Sequence, residues 1–330
     1  MRIVMGTEDR YVAADALGDQ PLGGAETAFA LLAQAFERRG HAVEVCGRGA
    51  ASAAPAGLVL ANRVPRVFRR LPRQGRRVLW LHNPGRYLRK PRHLLPLLAA
   101  RPRVVTLGPA HSASLPRWLP FRAVEIPLAV APPFSDGAAR REAPLPVAVF
   151  ASNPLRGLDW LLEVWAARIR PAVPGAELHL YTGAATYGGD SRLHERAAPV
   201  LARAASLSGA GVRLRDPLPR PALAERLRAA RAMLYRGDPG ETFCLALAEA
   251  QAVGLPCVVT RLGAVAERVA DGGTGVVARS DAAFADAAIR LLTDDAAWSA
   301  MHAAALERGS GPGWDAVAAR FEDLVPRGAA

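Results

Sequence analysis

The chain has one lysine, Lys90, three cysteines, and no apolar run near the roughly 20 residues that a helix needs to cross a bilayer. Cys46, Cys244 and Cys257 are odd in number and widely spaced, which fits neither a disulfide framework nor a zinc site. Met1-Arg2-Ile3-Val4-Met5-Gly6 is a short strand-like run without the long apolar core of a signal peptide. A reduced, cytoplasmic protein is the expectation. Disorder is excluded too, because 51% of the residues are hydrophobic and 22% charged, an ordinary globular balance. At 330 residues the chain is long for one core and comfortable for two domains.

Acid is missing from one long stretch. Between Arg63 and Arg103 stand thirteen basic residues and no Asp or Glu, against a formal net charge of +12 for the whole chain. The rest is therefore close to neutral. Codon bias exchanges Lys for Arg, but it does not remove every acid from such a segment. A one-sided basic surface attracts anionic lipid, a phosphorylated acceptor or nucleic acid. A solvated basic face with no dedicated partner is the plain alternative.

Strand and helix patterns alternate. Strands are predicted at Arg2–Thr7, Ala42–Cys46, Leu58–Ala61, Val78–His82, Val104–Leu107 and Val124–Leu128, with a helix over Ala25–Arg39 opened by Gly23 and Gly24. Residues Ala131 to Pro146, rich in Pro, Gly and Ala, read as a linker. The alternation then restarts, with strands at Val147–Ala151, Leu178–Tyr181, Val212–Leu214, Met233–Tyr235 and Cys257–Thr260. Helices are predicted at Leu158–Ile169, Ala282–Leu292, Ala296–Glu307 and Trp314–Leu324. Two parallel-sheet α/β domains follow, over 1–135 and 146–313. Ligands in such folds bind beyond the carboxyl ends of strands, and domain interfaces favour pockets.

Glu241 and Glu249 flank seven small or apolar residues, and Gly254-Leu255-Pro256 ends the run. If the whole stretch were helical, the two carboxylates would lie ~12 Å apart along the axis and ~80° apart around it. Glycosidase acid/base pairs sit at roughly 5–9.5 Å, so these two do not share one bond easily. They suit opposite ends of one elongated ligand. A carboxylate closing its own helix, or one pairing with a nearby arginine, is the purely structural alternative.

Three segments coincide in order and spacing: Leu22-Gly23-Gly24-Ala25-Glu26-Thr27, then Ser152-Asn153-Pro154-Leu155-Arg156-Gly157-Leu158-Asp159, then Glu241 to Glu249 with Gly272-Gly273-Thr274-Gly275 behind it. Together they resemble the GT-B glycosyltransferases of family 4, most closely from about Val147 to Val277. The resemblance implies a retaining transferase with two Rossmann-like domains around a cleft, the C-terminal segment 314–330 crossing back to the first. It also implies a nucleotide-sugar co-substrate, a UDP- or GDP-sugar, a hydroxyl acceptor (a sugar or a lipid-linked one), and neither bound metal nor other cofactor.

By the same resemblance, Glu241 faces the donor sugar, Glu249 the ribose, and His82 the reacting end. The backbone of Thr242, Phe243, Cys244 and Leu245 opens a helix towards the diphosphate. Arg156 and Asn153 stand in the loop that receives the phosphates, and Gly23 and Gly24 let backbone approach the ligand. Many relatives place a second basic residue where this chain has Phe150, and Arg236 is the candidate replacement. Cys244, where many relatives have glycine, reads as packing, and Glu267 reads as fixing a turn. The basic 63–103 segment suggests peripheral contact with anionic membrane at the inner face. A sugar-nucleotide epimerase of the same fold, or a nucleic-acid binder that leaves both glutamates idle, are the competing readings; no aromatic-interleaved stacking motif supports the latter.

Overall fold

The computed structural model describes residues 1–19, 21–121, 123–136, 142–183, 191–309 and 311–326. Part of the 131–146 linker and the last residues of the 314–330 segment therefore lie outside the described residues. Twelve strands are present among those described: β1 Arg2–Gly6, β2 Ala42–Cys46, β3 Leu58–Asn62, β4 Arg76–Trp80, β5 Arg103–Thr106, β6 Ala123–Glu125, β7 Val147–Phe150, β8 Glu177–Tyr181, β9 Val212–Arg215, β10 Ala232–Tyr235, β11 Cys257–Thr260 and β12 Gly275–Ala278. They form two six-stranded sheets with orders β2-β1-β3-β4-β5-β6 and β12-β11-β10-β7-β8-β9. The pairings are parallel throughout, for example Ile3 with Val43 and Leu58, and Met233 with Cys257. Central strands such as Leu58–Asn62 and Ala232–Tyr235 are buried on both faces, which is why they read as continuous apolar runs.

In each sheet the strand order reverses beside the first strand, between β1 and β3 in one and between β7 and β10 in the other. Open parallel sheets bind ligands at such switch points. The residues that follow β7 and β10, Ser152 to Arg156 and Arg236 to Glu241, thus emerge side by side.

Several boundaries shift. β4 ends at Trp80, so His82 lies two residues beyond the strand. The predicted helix from Leu158 is α-helical only to Val164 and widens into a π turn over Trp165–Ile169. β12 had no counterpart in the sequence reading. Its Gly275 is required by a close approach, since a Cβ there would stand 2.1 Å from the Cys257 carbonyl oxygen.

The last helix, Trp314–Glu322, packs on the first, Gly24–Arg38, across the N-terminal sheet. Its apolar positions Trp314, Val317, Ala318 and Phe321 are buried in the cluster that contains Phe36, Leu60 and Trp80. Arg38 pairs with Asp315 at 2.6 Å, and Arg39 and His41 both pair with Glu322. Exposed pairs of this kind contribute little; burial of the Trp and Phe side chains carries the attachment.

Candidate active site

A cleft of about 380 Å³ opens between the two sheets. It is lined from one side by Gly23, Gly24, Glu26, Arg63 and His82, and from the other by Asn153, Arg156, Arg220, Glu241 and Glu249. Its size lies within the range of small-molecule sites.

Glu241 is buried, and both its oxygens accept from Arg156 Nη1 at 2.5 Å. Tyr235, at the end of β10, donates its hydroxyl to Glu241 Oε2 at 2.8 Å. Burial, with Cys244 and Glu241 nearby, pushes the Tyr235 phenol well above its ordinary pKa, so it remains a donor. Burial opposes the charge of Arg156, but Glu241, with Tyr235 and Cys244, more than offsets it and the net shift is upward. The carboxylate and the guanidinium are thus fixed as an ion pair at the cleft. Gly157, at φ 81°, follows the pair, and a Cβ there would meet Arg236 Cβ at 2.8 Å.

The stretch between the glutamates is not one helix. The helix runs over Leu245–Ala252, and Cys244 before it adopts φ 67° and ψ 73°, a left-handed conformation. Glu241 therefore lies in a loop, and the helical projection of the pair does not apply to it. The left-handed turn accounts for the fit of glycine at this place. Burial, with Glu241 nearby, raises the Cys244 thiol well above its usual range, which leaves no thiolate for nucleophilic chemistry. Thr242 donates its hydroxyl to the His82 carbonyl across the cleft at 2.8 Å, and Phe243 packs into the N-terminal cluster with the Arg268 guanidinium 4.2 Å above its ring. Only Leu245 begins the helix. Its first N–H groups have no preceding helical carbonyl to bond, which leaves them and the helix dipole for an anion. Gly24, in the first turn of the facing helix, stands close enough that a Cβ there would be 3.6 Å from Leu245 Cβ. Two helix N-termini thus face one another at the floor of the cleft.

Glu249 lies on the helix, buried, and accepts from Arg220 Nη1 at 2.7 Å. Arg220 also stacks on Phe134, 4.8 Å from the ring centroid. It is the cation that the sequence reading missed, because 29 residues separate it from Glu249 and only the fold brings them together. The Arg236 expectation is corrected: its guanidinium lies over Trp160 at 5.1 Å, and it does not line the cleft. Phe150 is fully buried against Tyr235. Asn153 lines the cleft, but its Oδ1 accepts from Leu155 N–H at 2.9 Å and closes the turn that presents Arg156.

On the N-terminal side His82 edges Trp80, with ring centroids 4.5 Å apart, and its Nε2 is buried without a partner. Burial, then Arg63 and His111, hold its pKa well below the usual imidazole value, so it is neutral at ordinary pH. His111 fixes the loop after β4: Leu107 N–H donates to its Nδ1 at 3.2 Å, and its Nε2 bonds the Asn83 carbonyl at 2.9 Å. Burial lowers its pKa to about 4. Below pH 6.5 the unfolded chain binds a proton here that the folded one refuses. Stability is therefore retained above pH 6.5 and lost as pH falls towards 4, by on the order of 3 kcal/mol for this residue. Chemical denaturation of His111→Gln between pH 7 and 4 is expected to show a correspondingly shallower loss; an unchanged slope would contradict the assignment.

Glu267 does more than fix a turn. It accepts from the Ala110 N–H at 2.6 Å and so ties the C-terminal unit to the helix Pro109–Ala113 of the N-terminal one. No group of three or more His, Cys, Asp or Glu residues able to hold a metal is found among the described residues.

Residues 145–294 match the family described as glycosyl transferases group 1. The chain is 33% identical over 204 residues to a D-inositol 3-phosphate glycosyltransferase of Kribbella flavida, a match covering 58% of this chain and 47% of the relative. The chain thus spans about half the length of the curated relatives it matches. Among solved structures it resembles sucrose-phosphate synthase of Thermosynechococcus elongatus, with a TM-score of 0.73 and 16% identity over 98% of both chains. It also resembles Anabaena HepE solved with UDP-glucose, at a TM-score of 0.65 and 14% identity over 98% of both. The epimerase alternative is not favoured by these likenesses. The fold is that of the GT-B glycosyltransferases, and residues 145–294 are similar to the group 1 glycosyl transferases.

Proposed function

We propose that the protein is a retaining glycosyltransferase that moves a sugar from a nucleoside-diphosphate sugar to a hydroxyl acceptor. The observation that carries this reading is the cleft itself, where Glu241 and Glu249 line one cavity with the N-terminus of Leu245–Ala252 between them. Carboxylates accept hydrogen bonds from hydroxyls, so Glu241 serves the sugar and Glu249 the ribose. The helix N-terminus and Arg156 receive the diphosphate, whose charge grows as the glycosidic bond breaks. His82, neutral and with an unsatisfied Nε2, stands on the opposite wall at the reacting end. In this reading residues 1–135 with 314–330 hold the acceptor and 146–313 the donor. The acceptor belongs to cell-surface polysaccharide, glycolipid or a related glycoconjugate, met at the inner face of an anionic membrane through the basic 63–103 segment.

Thermal-shift screening with UDP-, GDP-, ADP- and TDP-sugars tests the donor assignment, because a ligand of the folded state raises its stability. One nucleotide series is expected to stabilise the protein; no shift with any of them would overturn the proposal. Glu249→Ala is expected to weaken the matching nucleoside diphosphate about tenfold by calorimetry, the scale of one hydrogen bond to a charged group. Unchanged affinity would remove Glu249 from the ribose end.

A further inference from the structure

The basic segment divides into two unlike halves. In the first half several arginines are used internally, while Arg69 and Arg73 are exposed: Arg63 pairs with Asp9 at 2.8 Å, Arg70 with Glu8 at 2.7 Å, and Arg77 lies over Phe68. In the second half no ion pair to an acid is present among the described residues for Arg86, Arg89, Lys90, Arg92, Arg101 or Arg103. The sequence holds no Asp or Glu anywhere between Glu44 and Glu125, so no acid in that span neutralises this face.

The same half carries apolar side chains turned outwards. The helix Pro91–Ala100 buries His93, Pro96 and Leu97 and presents Arg92, Leu95 and Leu98 on its other side. Leu95 is 64% exposed, and Trp118 and Tyr87 are exposed as well. Trp118 follows a stretch that packs beside the start of this segment: Ser114 Oγ accepts from Gly85 N–H at 2.7 Å, and a Cβ on Gly85 would meet Leu115. Tyr87 sits with Lys90 Nζ 4.8 Å from its ring centroid, an aromatic body with a cationic rim. Outward leucines and aromatics ringed by Arg and Lys, without acid, are the chemistry of a helix lying in the interface of an anionic bilayer. A nucleic-acid site would instead use stacked aromatics and has no use for Leu95 and Leu98.

We propose that the surface formed by Gly85–Arg101 and Trp118 docks on an anionic lipid bilayer, with Leu95, Leu98 and Trp118 entering the interface and Arg89, Lys90 and Arg92 contacting headgroups. The docking segment starts at the rim of the cleft. His82 and Asn83 line that cleft, and Arg86 and Pro84 lie beside Gly240, next to Glu241. A lipid-borne hydroxyl is thereby presented at the reacting end of the site. This last consequence rests on the transferase reading; the docking itself does not.

Flotation with phosphatidylcholine vesicles, with and without phosphatidylglycerol, tests the proposal without any transfer assay. Wild-type protein is expected to float only with the anionic vesicles. R89Q/K90Q/R92Q should lose about 100-fold in apparent affinity and L95N/L98N about tenfold, while R69Q/R73Q, exposed on the other half, changes it by less than about threefold. All substituted positions are exposed, and thermal melting checks that each variant folds. Absence of binding to anionic vesicles at low salt would overturn the proposal. So would equal losses in all three variants, or binding to duplex DNA in place of vesicles.

Discussion

Replacing Glu241 by glutamine is expected to lower turnover by about 10²–10³-fold, the scale of losing one preorganised polar contact at a reacting centre. The substitution keeps the volume of the side chain and an oxygen able to accept from Tyr235, which now lies 2.8 Å away. What it removes is the negative charge opposite Arg156, and one of the two oxygens that accept from the guanidinium. In the proposed donor complex the same charge would orient the sugar hydroxyls. Steady-state kinetics together with thermal melting separate a chemical defect from a folding one. A folded variant with turnover within a few-fold of wild type would remove Glu241 from the reacting end.

Phe321→Ala is expected to cost about 3–5 kcal/mol, the range for truncating a buried aromatic. Phe321 is fully buried, with ring centroids 6.3 Å from Phe36 and 5.5 Å from Trp80. A smaller side chain leaves a void between the last helix and the N-terminal sheet and frees the segment that holds the chain's end to its beginning. For a chain of 330 residues such a loss corresponds to a fall in melting temperature of about 4–7 °C. A shift under about 2 °C would mean that the Trp314–Glu322 helix adds little to the fold.

The alternation of strands and helices was legible because central parallel strands are apolar on both faces and their helices carry one apolar stripe. Leu58–Asn62 and Cys257–Thr260 show the first, Gly24–Arg38 the second. β12 escaped because its Gly275 belongs to a glycine-rich run, where a four-residue strand leaves no period to read. The start of the site helix was placed too early because nothing in a cysteine announces the left-handed backbone that Cys244 adopts. Contacts between distant segments were invisible for a different reason. Arg220 reaches Glu249, Thr242 reaches the His82 carbonyl and Glu267 reaches Ala110 only after two sheets are folded and docked. Arg236 misled through proximity in sequence: one residue beyond β10 its guanidinium lies over Trp160, whereas Tyr235 before it reaches Glu241.

The central claim is that Glu241 and Glu249 grip opposite ends of one nucleotide sugar. Calorimetric titration of wild type, Glu241→Gln and Glu249→Gln with UDP and with UDP-glucose, or with the nucleotide pair that the screen selects, tests it most directly. Glu249→Gln is expected to weaken both ligands by a similar factor, since both carry the ribose. Glu241→Gln is expected to weaken the nucleotide sugar and leave the free nucleotide almost unchanged. Equal weakening of both ligands by both variants, or by neither, would contradict the two-ended cradle.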